Sequence, residues 1–486
     1  MISGRVATIA ILAASLAACG GDDDSPTPPI VTPPPTADAC SLSARQDWAL
    51  DVLEEWYLFP DLLDTSVNKA DYNNLQDYLD ALVAPARAEE KDRFFTYITS
   101  IEEETDLIEN GSNAGFGIRL IYDTVGNRVF IAEAFENGPA FDVGFDRGTE
   151  LLEINGQPVA NLLASGGSRA VSDALGPSEP GITRTLVFRP LGGVEQSASV
   201  TKEEFSLDPI SDRYGVEILS DGAGGRVGYI NLRTFIVATA DRQLAEAFQL
   251  FADEGLTRFV IDLRYNGGGL VRIAELMGNL MRNGNTGEVF SRLVLRDSKS
   301  SENETTLFEN TARFFNPTTN TLGAPEAIPA VDPVKLAFIT TRSSASASEL
   351  IINSMLPYVQ PENIALIGGN TFGKPVGQYA FDRAACDDRL RAVAFKTVNA
   401  NGEGDYFKGL AGVVPNTCRA QDDIFAQLGD PREDSIATAL DFIAGRTCTP
   451  FATSAKDGTV LGRERQLDAV QPARPNTAQR DIPGLF

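Results

Sequence analysis

From about residue 225 to 445, short apolar runs alternate with longer amphipathic stretches, and this alternation most constrains the fold. Runs 227–232 and 259–263 read as strands, with a helical stretch 240–254 between them. A helix over about 270–281 follows, then a strand 336–340, a helix 346–356 and a strand 364–367. Strands and helices that alternate in this way build an α/β layer structure.

The remaining chain reads differently. Trp48, Leu50, Val52, Leu53, Trp56 and Tyr57 recur at helical spacing, and further helices are expected near 72–82 and 94–101. From about 112 to 205 short strands are punctuated by glycine and proline. Gly115-Phe116-Gly117-Ile118, a strand 129–134, Gly138-Pro139-Ala140 and Leu151-Leu152-Glu153-Ile154-Asn155-Gly156 come in that order. Asn155-Gly156 is a strong turn signal. The expected organisation is therefore multidomain α+β: a helical segment 40–110, a β-domain 111–205 and an α/β core 220–449. Residues 450–486 are polar with scattered prolines and are expected to be a disordered tail.

The first eighteen residues read as an export signal: Arg5, then an apolar stretch 6–16, ending Leu16-Ala17-Ala18-Cys19. That ending resembles a bacterial lipobox, with Cys19 the lipidated residue. A proline-rich tether over 19–39 would hold the body away from the bilayer. Gly20-Gly21 lacks the aspartate that commonly marks inner-membrane retention, which leans towards the outer membrane of the cell envelope. The net charge of −26 argues against nucleic acid as a partner. In an exported chain the four cysteines beyond Cys19 suggest disulfides, and three pairings are open. Cys386 with Cys418, and Cys40 with Cys448, is the expected set. No Cys-x-x-Cys spacing supports a zinc site.

The chain contains no histidine, so a hydrolase built here cannot use a Ser-His-Asp triad. A serine activated by a lysine is one of the few nucleophilic options left. Three motifs carry that option: Asp262-Leu263-Arg264-Tyr265-Asn266-Gly267-Gly268-Gly269, Ser344-Ala345-Ser346-Ala347-Ser348-Glu349, and Thr371-Phe372-Gly373-Lys374 with Gln378. Taken alone, Ser346-x-x-Glu349 is a helix capping box. Gly368 to Lys374 alone resembles a phosphate-binding loop, but Pro375 stands where that loop needs Ser or Thr for Mg²⁺.

In this order the motifs resemble the tail-specific, or C-terminal processing, serine peptidases of family S41, over roughly 43–445. The resemblance implies a peptidase core of ClpP/crotonase-like type, and it makes 111–205 a PDZ domain whose residues Gly115, Phe116, Gly117 and Ile118 receive a substrate's chain end. It makes Ser346 the nucleophile, Lys374 the general base and Gln378 the residue that orients the lysine. Ala347 and Gly268 would supply the oxyanion N–H groups. The span from Ser346 to Lys374 is somewhat longer than usual in the family, a surplus that fits the loop 357–363. Lys374 must be desolvated to act as a base, since a lysine of pKa about 10.4 is protonated at neutral pH. No metal or organic cofactor is implied. The partners implied are proteins or peptides with free C-termini, the membrane through the lipid anchor, and an adaptor protein. The rival reading is a PDZ-bearing scaffold that no longer cleaves.

Overall fold

A computed structural model describes residues 39–282, 285–451 and 467–486. The signal, Cys19 and nearly all of the tether lie outside the described residues. Among the described residues no helix is long and apolar enough to cross a membrane.

The largest body is built on a six-stranded sheet in the order Val216–Ser220, Arg226–Asn231, Arg258–Asp262, Lys335–Thr340, Ile364–Gly368, Asn416–Arg419. The first pair is antiparallel and the rest are parallel. These strands are apolar on both faces because both are covered. Phe259, Ile261, Leu336 and Phe338 pack with the helices Ala240–Asp253, Val271–Leu280 and Ala347–Met355. Val260, Ala337 and Ile339 face the other way, against the helix Asp434–Ile443. Parallel strands all point one way, so the loops after Asp262, Thr340 and Gly368 gather along one edge, where open α/β sheets hold their sites.

A second sheet pairs Asp388–Val398 with Tyr97–Ser100, Val376–Arg383 and Val289–Leu295. The N-terminal helices Leu42–Trp56 and Leu75–Leu82 pack on it: Ala49, Leu53, Leu79 and Leu82 share a core with Val376, Leu390 and Val393. This segment is therefore a buttress for the strand that follows Lys374. The helix expected at 94–101 is instead the strand Tyr97–Ser100, followed by a helix Ile101–Asn110 that Ser100 caps through the Glu103 N–H. Pairing of Tyr97 with Arg391 overrides the local helical preference.

Residues 118–201 form most of a seven-stranded antiparallel sheet, in which Ile118–Asp123, Arg128–Ala134, Glu150–Ile154, Thr183–Arg189 and Gln196–Thr201 follow one another. A kinked helix Val159–Leu175 covers its core.

Two further expectations fail. Residues 467–486 are not disordered: a strand Leu467–Ala469 pairs with Ile118–Asp123, and a helix Thr477–Asp481 follows. Val470, Ile482, Leu485 and Phe486 are buried, and burying each large apolar side chain contributes roughly 1.5–3 kcal/mol. The average polarity of the segment hid these anchors. The disulfides pair Cys40 with Cys386 and Cys418 with Cys448, with Cα separations of 5.5 and 5.3 Å. Cys386 sits at the tip of the 376–398 hairpin beside the start of the first helix, where Arg45 pairs with Asp388. Cys418 lies on the edge strand of the other sheet, beside the chain's return at Thr449. The two strand systems are separate, so Cys386 and Cys418 cannot meet.

Candidate active site

Three loops at the edge of the six-stranded sheet enclose a cavity of about 410 Å³, lined among others by Gly267, Ser346, Lys374 and Gln378. The first loop is fixed by buried charge. Arg264 holds Asp262, Asp422 and Glu433 at 2.8–3.0 Å. Asn266 Nδ2 donates to the Leu232 carbonyl, and its Oδ1 accepts from the Gly268 N–H. Removing one member of such a buried network leaves an unpaired charge, a cost of about 3–5 kcal/mol.

The serine run now resolves into distinct roles. Ser344 and Ser348 are fully buried, and their hydroxyls donate to the carbonyls of Leu263 and Asn266. They tie the serine loop to the glycine loop. Ser346 alone of the three lines the cavity. It precedes the helix Ala347–Met355 in an uncommon backbone conformation, φ 55° and ψ −113°. Such strain persists where surroundings over-determine it. Gly268 (φ +116°) lies directly against it, where a Cβ would come within 2.7 Å of Ser346 Cβ.

Glu349 was legible in the sequence only as a cap. It does return onto the Ser346 N–H, at 3.1 Å. The same buried carboxylate also accepts from the N–H groups of Gly373 and Lys374, both at 2.7 Å. One side chain thus clamps the serine loop to the lysine loop. Burial pushes its carboxyl above the usual range, opposed by these donors. Arg93 is a second residue that the motifs did not reveal. It stacks on Phe372 and donates to the carbonyls of Phe372 and Gly373, fixing the backbone just before Lys374.

Lys374 reaches into the cavity with its ammonium 4.9 Å from the Phe95 ring centre. It donates to Gln378 Oε1 at 3.1 Å, and Gln378 Nε2 donates to the Phe95 carbonyl at 2.7 Å. Desolvation by burial lowers the Lys374 pKa, chiefly against the pull of Asp481. The ladder register shifts between Gly377 and Gln378, which re-aims Gln378.

Of the two expected oxyanion donors, Ala347 opens the helix after Ser346. Gly268 does not fit the role, because its N–H is turned back onto Asn266. The neighbouring Gly267 N–H instead meets a carbonyl in the cleft, that of Asp481, at 2.9 Å. Residues 115–118 lie far along the chain from this loop and hold their own occupant. The N–H groups of Phe116 and Ile118 converge on the Phe486 oxygen at 3.0 and 3.2 Å. Gly115 lies beneath it, where a Cβ would come within 2.8 Å of the Phe486 carbonyl carbon.

The family model for peptidase family S41 matches residues 226–417. A carboxyl-terminal-processing protease of Synechocystis sp. is 24% identical over 364 residues, 73% of this chain and 74% of the relative. The carboxy-terminal processing protease CtpB of Bacillus subtilis is 23% identical over 318 residues, 63% of this chain and 56% of the relative. A crystal structure from Bacteroides fragilis NCTC 9343, provisionally assigned as an S41 protease, shares the fold: TM-score 0.61, 21% identity, 82% of this chain and 97% of that one. This chain therefore carries a peptidase family S41 domain at residues 226–417 and is similar over about three quarters of its length to a carboxyl-terminal-processing protease.

Proposed function

We propose that the protein is an exported, lipid-anchored endopeptidase that cleaves proteins near their C-termini by a Ser-Lys mechanism. One observation carries the chemistry: Ser346, the only serine of its run on the cavity, shares that cavity with a desolvated Lys374. Lys374 takes the hydroxyl proton as Ser346 Oγ attacks the scissile carbonyl carbon. The N–H groups of Ala347 and Gly267 hold the oxyanion of the tetrahedral intermediate. Its collapse breaks the C–N bond and leaves an acyl-enzyme, and Lys374 gives its proton to the departing amine. Lys374 then activates water, which hydrolyses the ester and frees Ser346. Gln378 orients the lysine as a neutral amide, so it does not favour the charged form.

In this reading residues 111–205 act as a PDZ domain, and the N–H groups at 115–118 receive the carboxylate of a substrate's end while its backbone adds to strand Ile118–Asp123. Anchoring through Cys19, and the lean towards the outer membrane, rest on the sequence alone. Proteins or peptides with free C-termini are the proposed partners, with delivery by an adaptor.

Purified protein should degrade an unstructured protein such as casein, and Ser346→Ala should abolish this with an unchanged circular-dichroism spectrum. Equal turnover by the variant would overturn the reading. Peptides with amidated C-termini should be cleaved more slowly than free ones; equal rates would remove the carboxylate-capture role.

A further inference from the structure

Residues 467–486 run antiparallel beside the strand Ile118–Asp123 in two passes. In the first, Leu467, Asp468 and Ala469 pair with Asp123, Tyr122 and Ile121, and the Val470 N–H donates to the Leu120 carbonyl. In the second, the Leu120 N–H donates to the Gly484 carbonyl at 2.8 Å, Leu485 lies opposite Arg119, and the Phe486 N–H donates to the Ile118 carbonyl at 2.9 Å. Between the passes the chain crosses the catalytic cavity, where Gln471, Pro475, Gln479, Arg480, Asp481 and Pro483 form part of the wall.

We infer that this segment is a built-in competitor: it fills the peptide groove and the cleft beside Ser346 together, and it must be displaced before another chain can pair there. The inference rests on the proposed reading of the site, since a competitor needs a peptide path to block.

Three observations carry it. The main-chain groups of residues 116–120 that an incoming peptide would pair with are already bonded to 484–486, so the two strands exclude one another. At the cleft the segment is the helix Thr477–Asp481, held by the Gly267 N–H on the Asp481 carbonyl and by Arg480 on the Phe94 carbonyl. A helical turn does not offer an extended peptide bond to a nucleophile, so the segment blocks the site without being presented as substrate. Asp481 also lies within electrostatic reach of Lys374 and opposes the loss of its proton. Finally, Phe486 is 1% exposed, within the apolar cluster of Phe116, Ile118 and Leu120. A chain that displaces it must fill the same apolar seat.

The test uses the full chain in two loosened forms, Phe486→Asp and Ile482→Asp, the latter breaking the buried contact with Leu107 and Phe205. Both should raise casein turnover about tenfold or more over wild type, the size expected when a closed state dominates. In a Ser346→Ala background, a fluorescent peptide Arg-Asp-Ile-Pro-Gly-Leu-Phe should bind the loosened forms at least about tenfold more tightly than the parent. A copy ending in Asp should not bind. If turnover and peptide affinity are the same in parent and loosened forms, the inference fails while the peptidase reading stands. If no form cleaves any protein but the peptide still prefers the loosened forms, the peptidase reading fails and the inference is cut back to competition for the groove at 116–120.

Discussion

Glu349 joins two loops that are far apart in sequence, accepting from the backbone of Ser346, Gly373 and Lys374 at once. Glu349→Gln keeps the size but exchanges one acceptor oxygen for a donor, which faces N–H groups. We predict a fall in kcat of about 10- to 100-fold, because small misplacements of reacting groups cost that much. KM should change less, and stability should drop by about 1–3 kcal/mol for the unsatisfied groups. A kcat equal to wild type would remove the clamp role. Lys374 gives a second test at this scale. As the proposed base it works only when neutral, and burial lowers its pKa, so kcat/KM should rise with pH through an ionisation below the ordinary lysine value of about 10.4. Lys374→Arg, which stays charged, should be inactive across the range. A flat profile would contradict a lysine base.

The docked segment 467–486 carries its own pH sensor. Asp481 is pushed up to about 6, first by burial, against Lys374, Arg391 and Arg480 and with the help of Glu104. A raised carboxyl pKa means that the docked state prefers the neutral acid. Its contribution to docking is full below the ordinary aspartate range and is lost as pH rises through about 6. The Ser346→Ala chain should therefore bind the fluorescent peptide more tightly at pH 7 than at pH 5, and Asp481→Asn should flatten that difference. No difference in the parent would reject the coupling. The disulfides act at the same scale. Cys40–Cys386 closes a loop across a sequence separation of 346 residues and fastens the N-terminal helix to the hairpin after Gln378. Replacing both by serine should lower stability by about 2–4 kcal/mol, read from denaturant unfolding. Non-reducing peptide mapping should recover Cys40–Cys386 and Cys418–Cys448, and any Cys386–Cys418 peptide would contradict the arrangement.

For the whole molecule, the α/β core was legible because its strands are short apolar runs and its helices long and amphipathic. Strands 227–232, 259–263 and 336–340 fall within a residue or so of those found. The motif residues Ser346, Lys374 and Gln378 were legible as chemistry, and they line one cavity. What the sequence hid depends on long-range pairing. Tyr97–Ser100 becomes a strand only against Asp388–Val398. Glu349 becomes a clamp only when residues 373–374 fold over it, and the Gly268 N–H is lost to a ligand only because Asn266 captures it. The polar tail hides a few buried side chains on a segment whose backbone partners at 116–123 lie more than 300 positions upstream. Activation of Ser346 by Lys374 is tested by intact-mass and peptide-level mass spectrometry after rapid quenching of a reaction with an activated peptide ester. An acyl adduct is expected on the peptide that contains Ser346 in the wild type, and none in Ser346→Ala or Lys374→Ala. An adduct on another residue, or undiminished acylation in Lys374→Ala, would contradict that activation.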